Sequence, residues 1–181
     1  LSSEFPLQLN RYNQSKARIY GVEGQIGYQL TPDYHVSVFG DYVRGKLKDL
    51  PSLPTGYKYA YDDEGNFAGL VPLSLSKQPD GNAPRIPAAR LGMRVQARLS
   101  DHLKGQLQFY RVFSQNKVAI LENPTAGHNM LNAGLSYDGV WGGQNYTVFI
   151  NADNILNAKA YNHASFLPYI PQSGRSVNMG V

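Results

Sequence analysis

The 181 residues are enough for one sizeable domain or for a piece of a larger one. Hydrophobic residues make up 42% of the chain, yet no run approaches the roughly 20 apolar residues of a membrane-spanning helix, which excludes a helical membrane protein. The absence of cysteine excludes disulfides and thiolate chemistry. The net charge of +4 comes from scattered lysines and arginines, so nucleic acid is not an expected partner.

Two segments with alternating polarity come first, at residues 17–30 and 35–46. In each, every second side chain is mainly apolar, and the opposite set includes Glu23 in the first segment and Asp41 in the second. A two-residue period is typical of a β-strand, because successive side chains leave opposite faces of the backbone. The tight turn at residues 31–34, with its proline, predicts that the two strands form a hairpin.

A long stretch at residues 47–87 follows and is predicted to be irregular. It contains six prolines and the acidic run of Asp62, Asp63 and Glu64. Loops of this length without structure of their own are usually functional or disordered. We therefore expect an exposed loop, and exposure also makes such a loop a target for antibodies.

The most regular alternation lies at residues 89–99, where every odd position is apolar and the even positions include Arg90, Arg94 and Arg98. Further strands are predicted at residues 105–116, 128–137, 145–154 and 174–181, with the only tryptophan, Trp141, in a short connection. Arg111 falls on the apolar side of its strand, which indicates either a β-bulge or a position at a membrane interface.

The apolar face recurs on every strand, and no predicted helix is available to cover it, so lipid is the expected cover. Short and longer connections alternate along the chain, as do the periplasmic turns and extracellular loops of outer-membrane barrels. The pattern predicts an all-β fold: a membrane-spanning antiparallel β-barrel. Its lumen would receive the charged side chains of the opposite face, namely Glu23, Asp41, Arg90, Arg94 and Arg98.

Seven strands cannot close such a barrel, because single-chain outer-membrane barrels have an even number of strands and leave no open edge. The last residues, Asn-Met-Gly-Val, also lack the aromatic residue on which these barrels generally finish. We therefore expect a fragment of a larger barrel.

Several motifs carry a resemblance to a known family. NADNILNAKAY at residues 151–161, PQSGR at 171–175 and GVEG at 21–24 resemble the C-terminal signature of TonB-dependent outer-membrane receptors, over nearly the whole chain. Within that superfamily, four stretches are similar to the zinc-uptake receptors of the ZnuD type: GDYVRGKLKDLPSLP at 40–54, NAPRIPAARLG at 82–92, YRVFSQNK at 110–117 and HNMLN at 128–132.

The resemblance implies a plugged barrel of about 22 strands in the outer membrane of a Gram-negative bacterium. Residues 1–181 would supply about seven C-terminal strands, while the N-terminal plug domain and the earlier strands would lie outside this chain. The implied partners are outer-membrane lipid, the receptor's own plug domain and the TonB complex, which the missing N-terminal region contacts.

Histidines are the candidate metal ligands. The predicted topology places His35 and His102 at periplasmic turns, whereas His128 and His163 lie on the extracellular side, where a metal ion would arrive. Zinc requires three or four ligands at about 2.0–2.3 Å, and two histidines far apart in sequence are not a motif, so loop histidines without a metal are the alternative. Asp62, Asp63 and Glu64 are the acidic partners to examine.

The predicted function is uptake of zinc as a transported substrate, energised through TonB, with no cofactor required. A haem or iron-siderophore receptor of the same type is the first alternative. A passive porin-like or structural barrel is the second, and a soluble β-sandwich is the third. The sequence contains no pair of nucleophile and base and no phosphate-binding loop, so an enzyme is not expected.

Overall fold

The computed structural model describes residues 14–120 and 122–181, and within these ranges all regular structure is β-strand. Residues 1–16, which the sequence predicts to be the end of a loop leading into the first strand, lie almost wholly outside the described residues. No described helix is long and apolar enough to cross a membrane. The strands are β1 (Lys16–Thr31), β2 (Tyr34–Lys48), β3 (Leu53–Pro54), β4 (Tyr57–Tyr61), β5 (Phe67–Pro72), β6 (Leu75–Ser76), β7 (Gly81–Asn82), β8 (Arg90–Arg98), β9 (Leu103–Val112), β10 (His128–Trp141), β11 (Gln144–Asp153) and β12 (Ser176–Gly180).

The chain divides into two compact units. Of the described residues, the loop unit contains those up to Arg18 together with Lys46–Gly81, and the sheet unit contains those within Ile19–Gly45 and Asn82–Val181.

One antiparallel sheet contains the seven predicted strands, in the spatial order β1-β2-β8-β9-β10-β11-β12, with β7 paired to β2 off this path. Nearly every neighbour in the sheet is also the neighbour along the chain, as in a meander. The strand β10 continues to Trp141, so the prediction of this residue in a connection was wrong. In the described residues β1 and β12 are the two outer strands, and the sheet is open.

The strand register gives the sheet one polar and one apolar face. On the polar face Arg94 lies opposite Ser37 on one side and Gln108 on the other. On the apolar face Met93 lies opposite Val38 and Phe109 in the same way. Because the side-chain period of a strand is two, one correct register fixes the face of every residue in these strands. The alternation predicted from the sequence is confirmed.

The apolar face is uncovered. Leu91, Leu107 and Ile150 are 53%, 49% and 44% exposed, while the buried hydrophobic residues of the described chain are only Ala83, Met130 and Ala160. In a β-sandwich the apolar faces of two sheets bury each other, whereas in the described residues no large side chain on the apolar face of this sheet is buried. The sheet therefore has the pattern of a barrel wall that faces lipid.

Connections of different length gather at opposite ends of the sheet. Residues 32–33, 99–102 and 142–143 make short turns at one end, which we call the turn end. Residues 49–89, 113–127 and 154–175 make the longer connections at the other, the loop end. The predicted alternation of short and longer connections is confirmed.

One detail of the prediction was wrong, and one of the two alternatives for Arg111 is excluded. Residues 47–87 are not irregular, because β3 pairs with β6 and β4 pairs with β5 in two small antiparallel sheets of the loop unit. Arg111 also lies in no bulge, since the register runs unbroken from the pair Arg90 and Val112 to the pair Arg98 and Lys104. Arg111 instead lies one residue from the loop end of β9, where its guanidinium donates to Asn129 Oδ1 at 3.0 Å.

Candidate functional site

A cavity of about 320 Å³ lies on the polar face at the loop end, and we call it the histidine cavity. The first residues of β8 and β10, Arg90 and His128, reach it because both are opposite Val112 at the end of β9. His163 reaches it from the connection 154–175. Its lining is Asp41, Pro87, Ala88, Arg90, Tyr110, Val112, His128, Tyr161, Asn162, His163 and Gln172.

The charged floor of the histidine cavity is an ion pair. Arg90 Nε donates to Asp41 Oδ2 at 2.8 Å, and the guanidinium also lies 5.7 Å from the ring centre of Phe39 and 6.0 Å from that of Tyr110. A carboxylate and two ring faces thus hold one cation in place. Arg90 and Asp41 are therefore fixed in position and together add almost no net charge to the cavity.

His163 is buried among polar partners. Its side chain is 3% exposed, with Nδ1 3.3 Å from Thr125 Oγ1 and Nε2 3.6 Å from Glu122 Oε2. Both partners come from the connection 113–127, so the contact joins two loops of the sheet unit. Imidazole nitrogen and carboxylate oxygen are donor atoms that zinc and copper both accept.

Both oxygens of the Glu122 carboxylate accept hydrogen bonds from backbone N–H groups. The Arg85 N–H donates to Oε1 at 2.7 Å and the Ala119 N–H donates to Oε2 at 3.0 Å. Burial raises the pKa of Glu122. These two hydrogen bonds and the neighbouring His163 together lower it by a larger amount, so the net shift of the pKa is downward. Glu122 is therefore a negatively charged group at neutral pH.

His128 has a ring nitrogen without a partner. Its Nδ1 is buried and neither accepts nor donates a hydrogen bond within the described residues. Most buried polar atoms in proteins are hydrogen-bonded, so an exception is a candidate position for a water molecule or a ligand. The histidine cavity thus contains one histidine with a carboxylate beside it and another with an unused nitrogen.

Asn154 positions the connection that carries His163. This buried residue has a φ of 49°. Its side chain accepts from Ala158 N at 2.8 Å and donates to Ala158 O at 2.9 Å and Ser173 O at 3.3 Å. Asparagine tolerates the left-handed region better than most residues, and its side chain closes such loops. These contacts close the turn that follows β11.

A second cavity, the outer cavity, has a volume of about 440 Å³ and also borders His163. The Arg85 guanidinium lies 3.7 Å from the ring centre of Phe166, and Asn123 Nδ2 donates to the Tyr169 hydroxyl at 3.0 Å. His163 thus lines both cavities.

The five predicted lumen residues lie on the polar face. Glu23, Asp41, Arg90 and Arg94 line a further cavity of about 260 Å³. Arg98 lies nearer the turn end, where it is paired with Asp33 at 2.7 Å. Contact of these residues with a plug domain stays a prediction.

The acidic run lies in the loop unit, in the turn between β4 and β5. Asp62 Oδ1 accepts from the backbone N–H of Asn66 at 2.8 Å and of Glu64 at 3.0 Å. The Asn66 N–H is the largest cause that lowers the pKa of Asp62. Asp63 and Glu64 are exposed. Across residues 14–120 and 122–181, no group of three or more histidines and acidic residues is arranged to hold a metal ion.

Sequence reasoning therefore found the two histidines and missed Glu122 and Thr125. The available signal was that Glu122 is the one acidic residue in the connection 113–127. Its proximity to His163 depends on how two loops pack, and no local pattern encodes that.

No protein-family model matches the chain. The structure is similar to a solved structure of the copper transporter OprC, with a TM-score of 0.60 and 16% sequence identity. The match covers 89% of this chain and 22% of that one, so the chain spans about a fifth of the length of the protein it matches. At this identity the likeness establishes the fold alone, that of part of a β-barrel wall.

Proposed function

We propose that the chain forms part of the barrel of an outer-membrane receptor that takes up zinc, with energy supplied through the TonB complex. The apolar face would contact outer-membrane lipid, and the polar face would line the lumen around the receptor's plug domain. A fold shared with a metal transporter supports the transport class over an enzyme or a passive pore.

The observation that carries the proposal is the histidine cavity. Two histidines from separate segments line one cavity on the polar face, directly below the loop end, where a cargo would arrive. His163 already has a carboxylate oxygen within 3.6 Å. Fewer than the three or four protein ligands of a stable zinc site suit a transit site, because water completes the coordination and the ion can leave.

Copper is the second candidate cargo. Imidazole suits copper as well as zinc, and copper(II) binds a given nitrogen and oxygen site more tightly than zinc does. The name of the matched transporter also favours copper. Haem or an iron chelate remains the third, and the growth test below separates all of them.

The test compares cells that carry or lack the full-length gene, each grown under zinc chelation, under copper chelation, and with haem as the only iron source. Cellular zinc and copper are measured by mass spectrometry. In the same strain His163→Ala and His128→Ala are compared with His35→Ala, whose ring lies at the turn end, 3.2 Å from Gln29 Oε1.

We expect a growth defect under zinc chelation that only added zinc relieves, and reduced zinc uptake in the two cavity variants but not in His35→Ala. A defect that copper alone relieves would mean that the receptor transports copper instead of zinc, and the histidine cavity would remain its candidate site. A defect that depends on haem would overturn the metal-ion cargo altogether. Equal uptake by all three variants would remove the histidine cavity from the transport path.

The acidic run is a separate element of the proposal. Asp63 and Glu64 are exposed in the β4–β5 turn, and their negative charges would attract cations to the loop unit. The double variant Asp63→Asn with Glu64→Gln should slow uptake at low zinc concentration and have no effect at high concentration. An unchanged uptake at both concentrations would exclude this capture step.

A further inference from the structure

The outer cavity combines aromatic rings with hydrogen-bonding groups. Phe166 and Tyr169 contribute rings that are 80% and 63% exposed. Ser165 and Asn123 add a hydroxyl group and an amide group to the lining. The volume of about 440 Å³ lies in the range of about 300–1,000 Å³ that is common for small-molecule sites. The outer cavity therefore has the size and the mixed chemistry of a site for a small polar molecule.

Arg85 supplies a set of unused hydrogen-bond donors to this cavity. Its guanidinium carbon lies 3.7 Å from the ring centre of Phe166, so the guanidinium lies over the face of that ring. Within residues 14–120 and 122–181 this guanidinium donates no hydrogen bond and forms no ion pair, since only the backbone N–H of Arg85 has a partner. The spacing of guanidinium N–H groups fits the two oxygens of a carboxylate. The outer cavity thus offers a site for a carboxylate group.

The backbone of Arg85 also fixes where its side chain begins. Its φ of 56° lies in the left-handed region, which few residues other than glycine adopt. Its N–H donates to Glu122 Oε1 at 2.7 Å, so a second connection holds this backbone in place. Residues held in such backbone conformations are concentrated at ligand-binding and active sites. The position of the guanidinium is therefore set by the backbone at one end and by the Phe166 ring at the other.

The inner wall of the outer cavity favours hydroxyl groups over a second negative charge. Glu122 lines this wall, and its lowered pKa keeps its carboxylate negative at neutral pH. A carboxylate accepts hydrogen bonds from hydroxyl groups and repels other anions. Arg85 is the only lysine or arginine among the described residues that line the cavity. A ligand with one carboxylate and several hydroxyl groups therefore fits better than a phosphate, which carries more negative charge.

We propose that the outer cavity binds a sugar acid, which is a pyranose ring with one carboxylate group. Arg85 would bind the carboxylate through paired N–H donors. The C–H groups of the sugar ring would pack against the Tyr169 ring. The Tyr169 hydroxyl already accepts a hydrogen bond from Asn123 at 3.0 Å, so its own proton is available to a hydroxyl group of the sugar. This binding activity goes beyond the proposed transport function and does not depend on which cargo is transported.

The test measures binding of small probes to the intact barrel protein that contains this chain, purified in detergent. Saturation-transfer NMR titrations compare three probes: glucuronate, its methyl ester, which keeps the ring and loses the charge, and gluconate, which keeps the carboxylate on an open chain. The variant is Arg85→Gln. The matched control is Lys159→Gln, which removes the same charge from an exposed position of the connection 154–175 that does not line the outer cavity.

We expect the parent protein to bind glucuronate about 10-fold or more tightly than the ester and gluconate, because only glucuronate presents both the ring and the charge. Arg85→Gln should bind glucuronate as weakly as the parent binds the ester, and Lys159→Gln should match the parent. Migration of unheated samples on a denaturing gel establishes that each variant retains a folded barrel. The comparison of probes on the parent protein tests the proposal even if a variant does not fold.

Absence of glucuronate binding by the parent, or equal binding of glucuronate and its ester, would overturn the proposal. Binding of gluconate as tight as that of glucuronate would also overturn it, because the site would then recognise a carboxylate without a ring. Equal binding by folded Arg85→Gln and the parent would remove Arg85 and the proposed carboxylate contact. Methyl β-glucuronide separates two sources of the same chemistry: binding equal to that of glucuronate supports the end of a glycan chain, and much weaker binding supports a free sugar acid.

Discussion

The substitution Glu122→Gln tests whether one carboxylate holds the loops around His163. Each oxygen of Glu122 accepts one backbone N–H, from Arg85 at 2.7 Å and from Ala119 at 3.0 Å. A glutamine amide offers one accepting oxygen and a nitrogen that only donates. One of the two backbone N–H groups must therefore lose its acceptor in the variant.

The expected magnitude follows from the type of bond lost. A hydrogen bond to a charged group contributes about 1.5–3 kcal/mol, which corresponds to roughly 10- to 150-fold in an opening equilibrium. Hydrogen exchange of the Arg85 and Ala119 amides in the intact protein measures that opening. We expect one of the two amides to exchange faster by this factor.

The same bonds predict a pH dependence, since Glu122 lies in a loop outside the membrane-spanning strands. Its pKa is lowered in the folded protein. The stabilisation is thus complete above the pKa of the unfolded chain and is lost as the pH falls through the lower, folded pKa. The protection of the two amides should fall in that acid range in the parent protein, and should be independent of pH there in Glu122→Gln.

Glu64→Gln is the matched control, because it removes the same charge from an exposed turn of the loop unit. It should leave both amides at their parent rates. If Glu122→Gln also leaves both at the parent rates, with the barrel intact, the carboxylate does not hold the loops and the reasoning fails.

Three further predictions concern the sheet unit. Asn154→Ala removes three side-chain hydrogen bonds and places alanine at a φ of 49°, so limited proteolysis should cut residues 154–175 much faster than in the parent. Gly92→Ala places a Cβ 2.5 Å from its nearest neighbouring atom and should cost about 1–3 kcal/mol, measured by thermal unfolding in detergent, whereas Gly24→Ala has open space and should cost little. Ile150→Lys on the apolar face should reduce assembly into membranes by about 2–4 kcal/mol, and Asn151→Lys on the polar face should not; equal effects would mean that the faces are assigned wrongly.

Much of the sheet could be predicted from the sequence, because each strand shows a local two-residue alternation of polar and apolar side chains. The alternation of arginine with apolar side chains between Arg90 and Arg98 fixes both the strand and its two faces. The pairs of β4 with β5 and of β3 with β6 were missed, since the six prolines of residues 47–87 outweighed the alternation of Tyr57, Tyr59 and Tyr61.

The candidate site could be predicted only in part. Chain order placed His128 and His163 on the loop side, because each strand reverses the direction of the one before it. It gave no information about Glu122, which depends on how the connections 113–127 and 154–175 pack together. Of the two alternatives for Arg111, the bulge is excluded, because Asn129 on the neighbouring strand accepts a hydrogen bond from this guanidinium without a break in the register. A position at a membrane interface stays a prediction.

The sequence by itself determined which residues form the wall and which face each side chain takes, because a period of two is a property of the backbone and needs no partner chain to be visible. Only the tertiary structure decided which side chains meet. The carboxylate beside His163 and the unpartnered nitrogen of His128 arise where loops and strand ends pack together. Such contacts depend on distances across the sheet, and no short stretch of sequence specifies them.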